Sequence, residues 1–376
     1  MKVLTIVGAR PQFVKAAAVS RAIAKYNENC EAGKQIEEQI VHTGQHFDAN
    51  MSDIFFEQMQ IPKPHHQLTI NSLGHGAMTG RMLEEIERIC VEQKPDCVMV
   101  YGDTNSTLAG ALAARKLHIK VVHVEAGLRS FNMEMPEEVN RILTDRISDV
   151  LCCPTETAIN NLKKEGYNLS SEGLAAHEGK VVNTGDVMQD AALYYSEFSA
   201  QNASVIDNLQ LQQRPFILCT IHRANNTDDP ERLGDIFSAL QTIGKDHVVV
   251  LPIHPRTRKL LDKHRLSASI DENQLMIIEP VGYFDMIELL KCAQLVLTDS
   301  GGLQKEAFFF DKPCITMRDE TEWVELLEAG VNILVGADKQ KILAAWQHDF
   351  SGAGFGKNLY GGGKAADNIV RCLAQL

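Results

Sequence analysis

The sequence predicts an α/β protein built from two parallel-sheet domains, and three observations carry that expectation. Short β-branched runs alternate with amphipathic stretches along the whole chain. Such a rhythm marks strand–helix–strand units whose crossover helices cover both faces of a parallel sheet. At 376 residues, the chain exceeds what a single hydrophobic core comfortably serves. Polar clusters fall where the strand runs end, the edge at which parallel sheets bind ligands.

In chain order the expected strands are Lys2–Val7, Cys97–Tyr101, Lys120–Val124, Phe216–Thr220, His247–Ile253, Gln294–Thr298 and Cys314–Met317. Each is close to a continuous run of Val, Ile, Leu or Cys, as befits strands covered on both faces. Cys152 and Cys153 stand in a further apolar run that reads as core strand. After the first strand, Pro11 suits the first helical position. Met135-Pro136-Glu137-Glu138 opens another helix, with Val139, Ile142, Leu143 and Ile147 expected on one apolar face. From about Glu165 to Arg214 the pattern loosens into Ser, Gly, Glu, Gln and Asn, with a helical stretch near Met188–Phe198. The domain boundary is expected there, with a first domain over 1–185 and a second over 186–362.

Composition narrows the function classes. A formal net charge of −12 counts against nucleic acid as a partner, and it leaves any anionic ligand to local groups. No apolar run is long enough to span a bilayer, and the N-terminal segment lacks the pattern of a signal peptide. Nine cysteines without a C-x-x-C pair argue against a disulfide framework or a zinc site. A cytoplasmic protein with no metal is the expectation.

The most informative stretch is Leu297-Thr298-Asp299-Ser300-Gly301-Gly302-Leu303-Gln304-Lys305-Glu306. It reads as a strand that stops at Ser-Gly-Gly and restarts as a helix. Two glycines remove the Cβ atoms that would hinder approach to the helix's first N–H groups, and those groups with the helix dipole suit a phosphate. Glu306, one turn on, is positioned to accept from sugar hydroxyls. An ordinary strand-to-helix turn remains the alternative reading.

Six other strand or helix ends carry chemistry-capable groups. Arg10 stands at a helix N-terminus with Lys15 about a turn further on; both are alternatively surface charges. Asp103, in Tyr101-Gly102-Asp103-Thr104, is a candidate acid or the N-cap of the next helix. Glu125 follows a buried strand, where a carboxylate is costly unless functional or paired, Arg129 being the available partner. Glu137 and Glu138 are candidate acids or simply first-turn carboxylates favoured by the helix dipole. His222 ends a strand in the second half, as a titratable partner or a satisfied structural histidine. His254 ends another and is a weaker candidate. No G-x-G-x-x-G follows any strand, so no dinucleotide cofactor is expected.

Taken together, the motifs carry a resemblance. G-A-R-P-Q, Y-G-D-T-N-S, H-V-E-A-G-L-R, P-E-E-x-N-R, the strand-ending His222-Arg223, T-D-S-G-G-x-Q-x-E and K-P-x-x-x-M-R-D occur here in the order seen in non-hydrolysing UDP-sugar 2-epimerases. The match runs from residue 1 to the final helix. Within that family, the stretch from His42 to Phe56, R-S-F-N-M-x-M-P-E-E and T-M-R-D-x-T-E-W-V-E resemble the members that act on UDP-2,3-diacetamido-2,3-dideoxy-glucuronate in O-antigen assembly. The resemblance implies two Rossmann-like domains of the glycosyltransferase-B type, with the active site in the interdomain cleft. It also implies a C-terminal helix, about 363–376, completing the first domain, and a homodimer. Carried over by position, Arg10, Lys15, His254, Ser300, Gly301, Gly302, Glu306 and Arg318 would bind the UDP-sugar. Asp103, Glu125, Glu137 and His222 would form the catalytic set. Two departures stand out: the segment between Glu125 and Pro136 is shorter than in the N-acetylglucosamine enzymes, and Gln45-His46-Phe47-Asp48 lacks the later Gln of members with an activating nucleotide-sugar site.

The chemistry follows independently of the resemblance. The carbon-2 proton of a 2-acetamido sugar has no adjacent ring carbonyl, so direct deprotonation is very hard. Departure of UDP places positive charge on the anomeric carbon and acidifies that proton. A glycal forms, and re-addition of UDP with protonation from the other face inverts carbon 2. This route needs phosphate stabilisation and at least two carboxyl groups as acid and base. A uronate carboxylate would want a nearby cation, for which Arg81, Arg129 and Arg223 are candidates. The competing readings are a hydrolysing 2-epimerase, a glycosyltransferase of the same fold and a non-catalytic nucleotide-sugar sensor.

Overall fold

A computed structural model describes residues 1–45, 61–168, 179–271 and 274–376. The chain divides into two compact units, Met1–Ala191 with Asn358–Leu376, and Ala192–Lys357. The divide falls within the helix Val187–Asn202.

The first unit carries a parallel sheet of order β3-β2-β1-β4-β5-β6-β7. Its strands are β1 (Lys2–Val7), β2 (Glu37–His42), β3 (His66–Gln67), β4 (Cys97–Tyr101), β5 (Lys120–Val124), β6 (Val150–Cys153) and β7 (Lys180–Asn183). Strand β1 pairs on one side with β2, Lys2 opposite Glu37, and on the other with β4, Val3 opposite Cys97. The chain therefore winds outward in both directions from the β1/β4 pair, leaving a crevice beyond their carboxyl ends. Leu4, Ile6, Val98 and Val100 pack with Met82, Ile86 and Ile89 of the helix His75–Gln93 and with Ala109, Ala111 and Ala113 of the helix Asn105–Lys116. The helix Ala365–Leu373 belongs to this unit and packs on the helix Arg10–Asn29. Asp190 anchors its first turn, accepting the N–H groups of Ala365 at 3.1 Å and Ala366 at 2.8 Å.

The second unit repeats the winding, with a parallel sheet of order β10-β9-β8-β11-β12-β13. Its strands are β8 (Phe216–Thr220), β9 (Val248–Pro252), β10 (Leu275–Ile278), β11 (Leu295–Thr298), β12 (Cys314–Thr316) and β13 (Asn332–Leu334). Side chains alternate between two cores. Ile217, Cys219, Val249 and Leu251 meet Leu233, Ile236, Phe237 and Leu240 on one face. Phe216, Leu218, Val250 and Val296 meet Leu289, Leu290, Leu303 and Ala307 on the other. Here the crevice lies at the β8/β11 pair.

One expected face is corrected. In the helix Pro136–Ile147 the buried residues are Glu138, Asn140, Arg141, Thr144 and Asp145, while Leu143 is 47% exposed. This helix packs mainly on the helix Asn105–Lys116 and turns its polar side inward, where Asn140, Arg141 and Asp145 find hydrogen-bond partners.

Candidate active site

In the first unit the loop after β1 is shaped by close approach. A Cβ on Gly8 would stand 2.1 Å from the Ser106 hydroxyl and 2.4 Å from that of Thr43, so only glycine fits. Gln12 ties this loop to the end of β4: its carbonyl accepts the N–H groups of Gly8 and Ala9, and its amide donates to the Tyr101 carbonyl at 2.6 Å. Arg10 is the first residue of the ensuing helix and partly exposed, and Lys15 is buried one turn further on. The Lys15 ammonium donates to Glu125, and only 11% of either side chain is exposed. Two buried charges so placed neutralise one another.

Glu125 is held in a strained backbone conformation, with φ of 74°, immediately after β5. Its N–H and that of Ala126 both donate to the Cys152 carbonyl, at 3.0 and 3.1 Å, which keeps the turn in place. Gly102, at φ of +62°, leaves room for the carboxylate: a Cβ there would lie 3.1 Å from Glu125 Oε2. Strain of this kind collects at functional sites. Thus Glu125 pairs with Lys15, and the expected alternative partner Arg129 is engaged elsewhere.

Asp103 is not the helix cap; Thr104 caps the helix Asn105–Lys116. The Asp103 carboxylate instead accepts from Arg141 Nη2 at 2.6 Å. Burial pushes the Asp103 carboxyl above its ordinary range, Arg141 opposes this, Glu125 adds to it and Lys15 opposes it. Lys15, Glu125, Asp103 and Arg141 thus form one charge cluster at the β1/β4 crevice. Glu137 is exposed on the first turn of the helix Pro136–Ile147, and its neighbour Glu138 is buried against Arg141 Nη1 at 2.7 Å.

A network beneath this cluster carried no local sequence signal. His123 Nδ1 meets Asp145 Oδ1 at 2.7 Å, and its Nε2 meets the Gly102 carbonyl at 2.7 Å. Asp145 also accepts from Arg129 at 2.7 Å, and Arg129 reaches Glu165 at 2.7 and 2.8 Å. Burial alone would raise the Asp145 carboxyl, but His123 and Arg129 hold it below its usual range. Arg129, its side chain 1% exposed, is therefore structural and no cation for a substrate carboxylate.

In the second unit, Ser300 caps the helix Gly301–Phe309, its hydroxyl accepting from the Leu303 N–H. The N–H groups of Gly301 and Gly302 lead that helix, where helical geometry supplies no intrahelical acceptor. A Cβ on Gly302 would meet nothing within 4 Å, so the approach is open. At Gly301 it would stand 2.6 Å from Glu322 Oε1. Glu322 in turn accepts from Arg318 at 3.0 Å, and the Arg318 side chain is 5% exposed. Gln304 binds Thr321 and Asn332 and fixes the helix to the segment bearing Arg318. Glu306 is partly buried on the same helix.

Asp299, fully buried, was absent from the expected site. Its carboxylate accepts the N–H groups of His222 and Arg223 and the Asn226 amide. Burial lowers the His222 imidazole below its ordinary range, Asp299 opposes that, and Arg223 and His254 reinforce it. A neutral ring near pH 7 follows. His254 caps the helix Pro255–Lys263, its Nδ1 accepting from the Arg256 N–H. His222, His254 and Ser300 line a cavity of about 230 Å³ whose remaining wall includes Pro252, Pro280, Val281, Met286 and Leu303. A second cavity, of about 250 Å³, holds Arg223, Arg232 and Arg318. The regulatory question at Gln45-His46-Phe47-Asp48 falls largely on residues 46–60, outside those described, as does most of the stretch from His42 to Phe56.

Two doubly wound domains, the first with a cluster of carboxylates and cations at its crevice and the second with a glycine-led helix at its own, match the glycosyltransferase-B architecture of enzymes that work on nucleotide sugars. A sequence profile of the UDP-N-acetylglucosamine 2-epimerase family matches residues 28–374; the chain belongs to this family, and it is an isomerase, a UDP-sugar 2-epimerase. The UDP-2,3-diacetamido-2,3-dideoxy-D-glucuronate 2-epimerase of Pseudomonas aeruginosa is 54% identical over 383 residues, covering 100% of both chains. The UDP-N-acetylglucosamine 2-epimerase of Methanocaldococcus jannaschii is 44% identical over 378 residues, covering 99% of both. A crystal structure of the M. jannaschii enzyme in complex with UDP-N-acetylglucosamine and UDP superposes with a TM-score of 0.85 at 42% identity, covering 100% of both chains. Among the described residues no helix is long and apolar enough to cross a membrane.

Proposed function

We propose that this enzyme inverts carbon 2 of UDP-2,3-diacetamido-2,3-dideoxy-D-glucuronate, giving the manno epimer without net hydrolysis. The observation that carries the reading is the cluster of Lys15, Glu125, Asp103 and Arg141 at the β1/β4 crevice. It supplies two carboxyl groups, Glu125 against Lys15 and Asp103 against Arg141, and burial raises the Asp103 carboxyl as an acid–base role requires. With Glu137 and His222 they make up the catalytic set. Arg10, Lys15, His254, Ser300, Gly301, Gly302, Glu306 and Arg318 hold the nucleotide sugar. The amides of Gly301 and Gly302 face the pyrophosphate, Arg318 adds charge, and the apolar wall by Ser300 suits an uncharged base.

In the first half-reaction the C1–O bond to UDP breaks while a base takes the carbon-2 proton, leaving a 2,3-diacetamido glycal and UDP. In the second an acid protonates carbon 2 from the opposite face and UDP oxygen re-forms the bond at C1. No oxidant is consumed; the base ends protonated and the acid deprotonated, and proton exchange with solvent restores both for the next turnover.

The substrate follows from the full-length relative at 54% identity. UDP-N-acetylglucosamine is the second reading, favoured by the relative at 44% and by the solved complex. We further read the enzyme as a cytoplasmic homodimer serving O-antigen, hence lipopolysaccharide, assembly; light scattering of the purified protein checks the dimer.

The mechanism is tested in heavy water with no added nicotinamide. The epimerised product should carry deuterium at carbon 2, and oxygen-18 in the sugar–phosphate bridge should scramble into non-bridging positions. Retained bridge label with no deuterium at carbon 2 refutes elimination. Turnover of UDP-N-acetylglucosamine but not of the diacetamido uronate reassigns the substrate, and release of free sugar identifies a hydrolase.

A further inference from the structure

Against the acid after β4 lies a pair of residues to which the resemblance gives no role. Arg141 reaches Asp103 through Nη2 at 2.6 Å and Glu138 through Nη1 at 2.7 Å, so one guanidinium is shared by two carboxylates. Glu138 is 1% exposed, and its other contacts are backbone: Ser130 N–H at 3.0 and 3.1 Å, and Phe131 N–H at 2.9 Å. Phe131 itself sits at φ of 59°, a conformation that a bulky side chain avoids unless something holds it. The segment clamped in this way is the one that joins Glu125 to the helix bearing Glu137.

From this geometry we infer that Arg141 and Glu138 are positioning residues, a clamp that locks the Arg129–Met135 segment to Asp103 and aims its carboxylate at the substrate. The two members act on Asp103 with opposite electrostatic sign. Arg141 brings a positive charge to its carboxylate, and Glu138 draws part of that charge away and adds a negative one nearby. The groups facing Asp103 are Arg141 on the helix Pro136–Ile147, Glu125 after β5 and Lys15 on the helix Arg10–Asn29. Burial and Glu125 push the Asp103 carboxyl up, while Arg141 and Lys15 push it down. Glu138 is held below its ordinary range: burial opposes this, but the Ser130 N–H, Arg141 and the Phe131 N–H outweigh it. These contacts favour the charged form of Glu138.

The clamp rests on Asp103 being catalytic, as proposed above. Its test is the pH profile of kcat for Arg141→Met, Glu138→Gln and Arg141→Lys, with Asp103→Asn as control. Loss of Arg141 should move the limb set by Asp103 to higher pH, and loss of the Glu138 charge should move it to lower pH, each by about half a pH unit or more. Both variants should lose kcat by about 10-fold or more while KM changes little, and Arg141→Lys should recover part of the loss. Should Arg141→Met fail to fold, Glu138→Gln and Arg141→Lys read the same limb. Limbs that stay put, or move in the same direction, in folded variants overturn the clamp while leaving Asp103 catalytic. Near-normal turnover in Asp103→Asn overturns the underlying assignment instead.

Discussion

The carboxylate of Asp299 accepts the backbone N–H of His222 at 3.1 Å and stands 3.3 Å from its Nδ1. One buried acid thus fixes both the turn after β8 and the ring that the turn presents. Asp299→Ala would leave the His222 and Arg223 amides without their acceptor, and a stability loss of roughly 2–4 kcal/mol is expected in denaturant unfolding. Asp299→Asn keeps the shape but removes the charge that favours imidazolium. An acid limb of kcat/KM due to His222 should then move to lower pH. Movement to higher pH would show that Asp299 is not the group supporting the proton on His222.

The two glycines of the Ser-Gly-Gly turn should respond differently. Gly302→Val adds a Cβ that would meet no protein atom within 4 Å, so the fold should survive while UDP affinity falls by about 100-fold or more. Gly301→Ala, in contrast, drives a Cβ to 2.6 Å from Glu322 and disturbs the Arg318 pair. It should lower both melting temperature and UDP affinity. Calorimetry finding unchanged UDP binding in a folded Gly302→Val protein rules out a pyrophosphate on these amides.

Gly102→Ala is the corresponding probe in the first unit. The position has φ of +62°, and the new methyl would press on Glu125 Oε2 at 3.1 Å. The backbone alone costs about 1–2 kcal/mol, read as a lower melting temperature. Displacement of Glu125 from Lys15 should cut kcat beyond what the stability loss explains. A variant with normal kcat would show that the Glu125 position is not critical.

How much was legible varied with the physics of each element. Strands β1, β4, β5 and β8 read directly, because burial on both faces demands continuous apolar runs. The ends of β9, β11 and β12 shift by one residue from the expected runs. Strand β2 begins Glu37-Glu38-Gln39 and was hidden; Glu38 is kept inside by the hydroxyls of Thr5 and Ser20. Strands β10 and β13 are short and half-buried, with too few positions for a pattern. Asp103, Glu125 and Ser300 were legible as site candidates because they follow clear strands. The long-range pairings were not: Asp103 finds Arg141 38 positions away, and Asp145 finds His123 and Arg129 at 22 and 16. Contacts of that range depend on topology, and a single sequence carries no local trace of them.

Asp103 and Glu137 differ in setting, and both are expected to be catalytic. Asp103 is tied to Arg141 at 2.6 Å, and burial raises its carboxyl above the ordinary range. Glu137 is exposed at the start of the helix that supplies Arg141. Removing a positioned acid or base typically costs 10²–10⁴ in rate, so Asp103→Asn and Glu137→Gln should each lower kcat at least ~100-fold. Both exchanges are near-isosteric, and UDP affinity should persist because its proposed contacts Ser300, Gly301, Gly302 and Arg318 are untouched. The two variants should part in their proton chemistry. Since burial disfavours the charged form of Asp103, the wild-type acid limb should lie above the range of a free carboxylate. Asp103→Asn should abolish that limb in the residual activity, and Glu137→Gln should keep it. Single-turnover assays in heavy water would show whether either variant still washes deuterium into carbon 2 without completing inversion. Near-normal turnover in a folded variant removes that residue from the catalytic set.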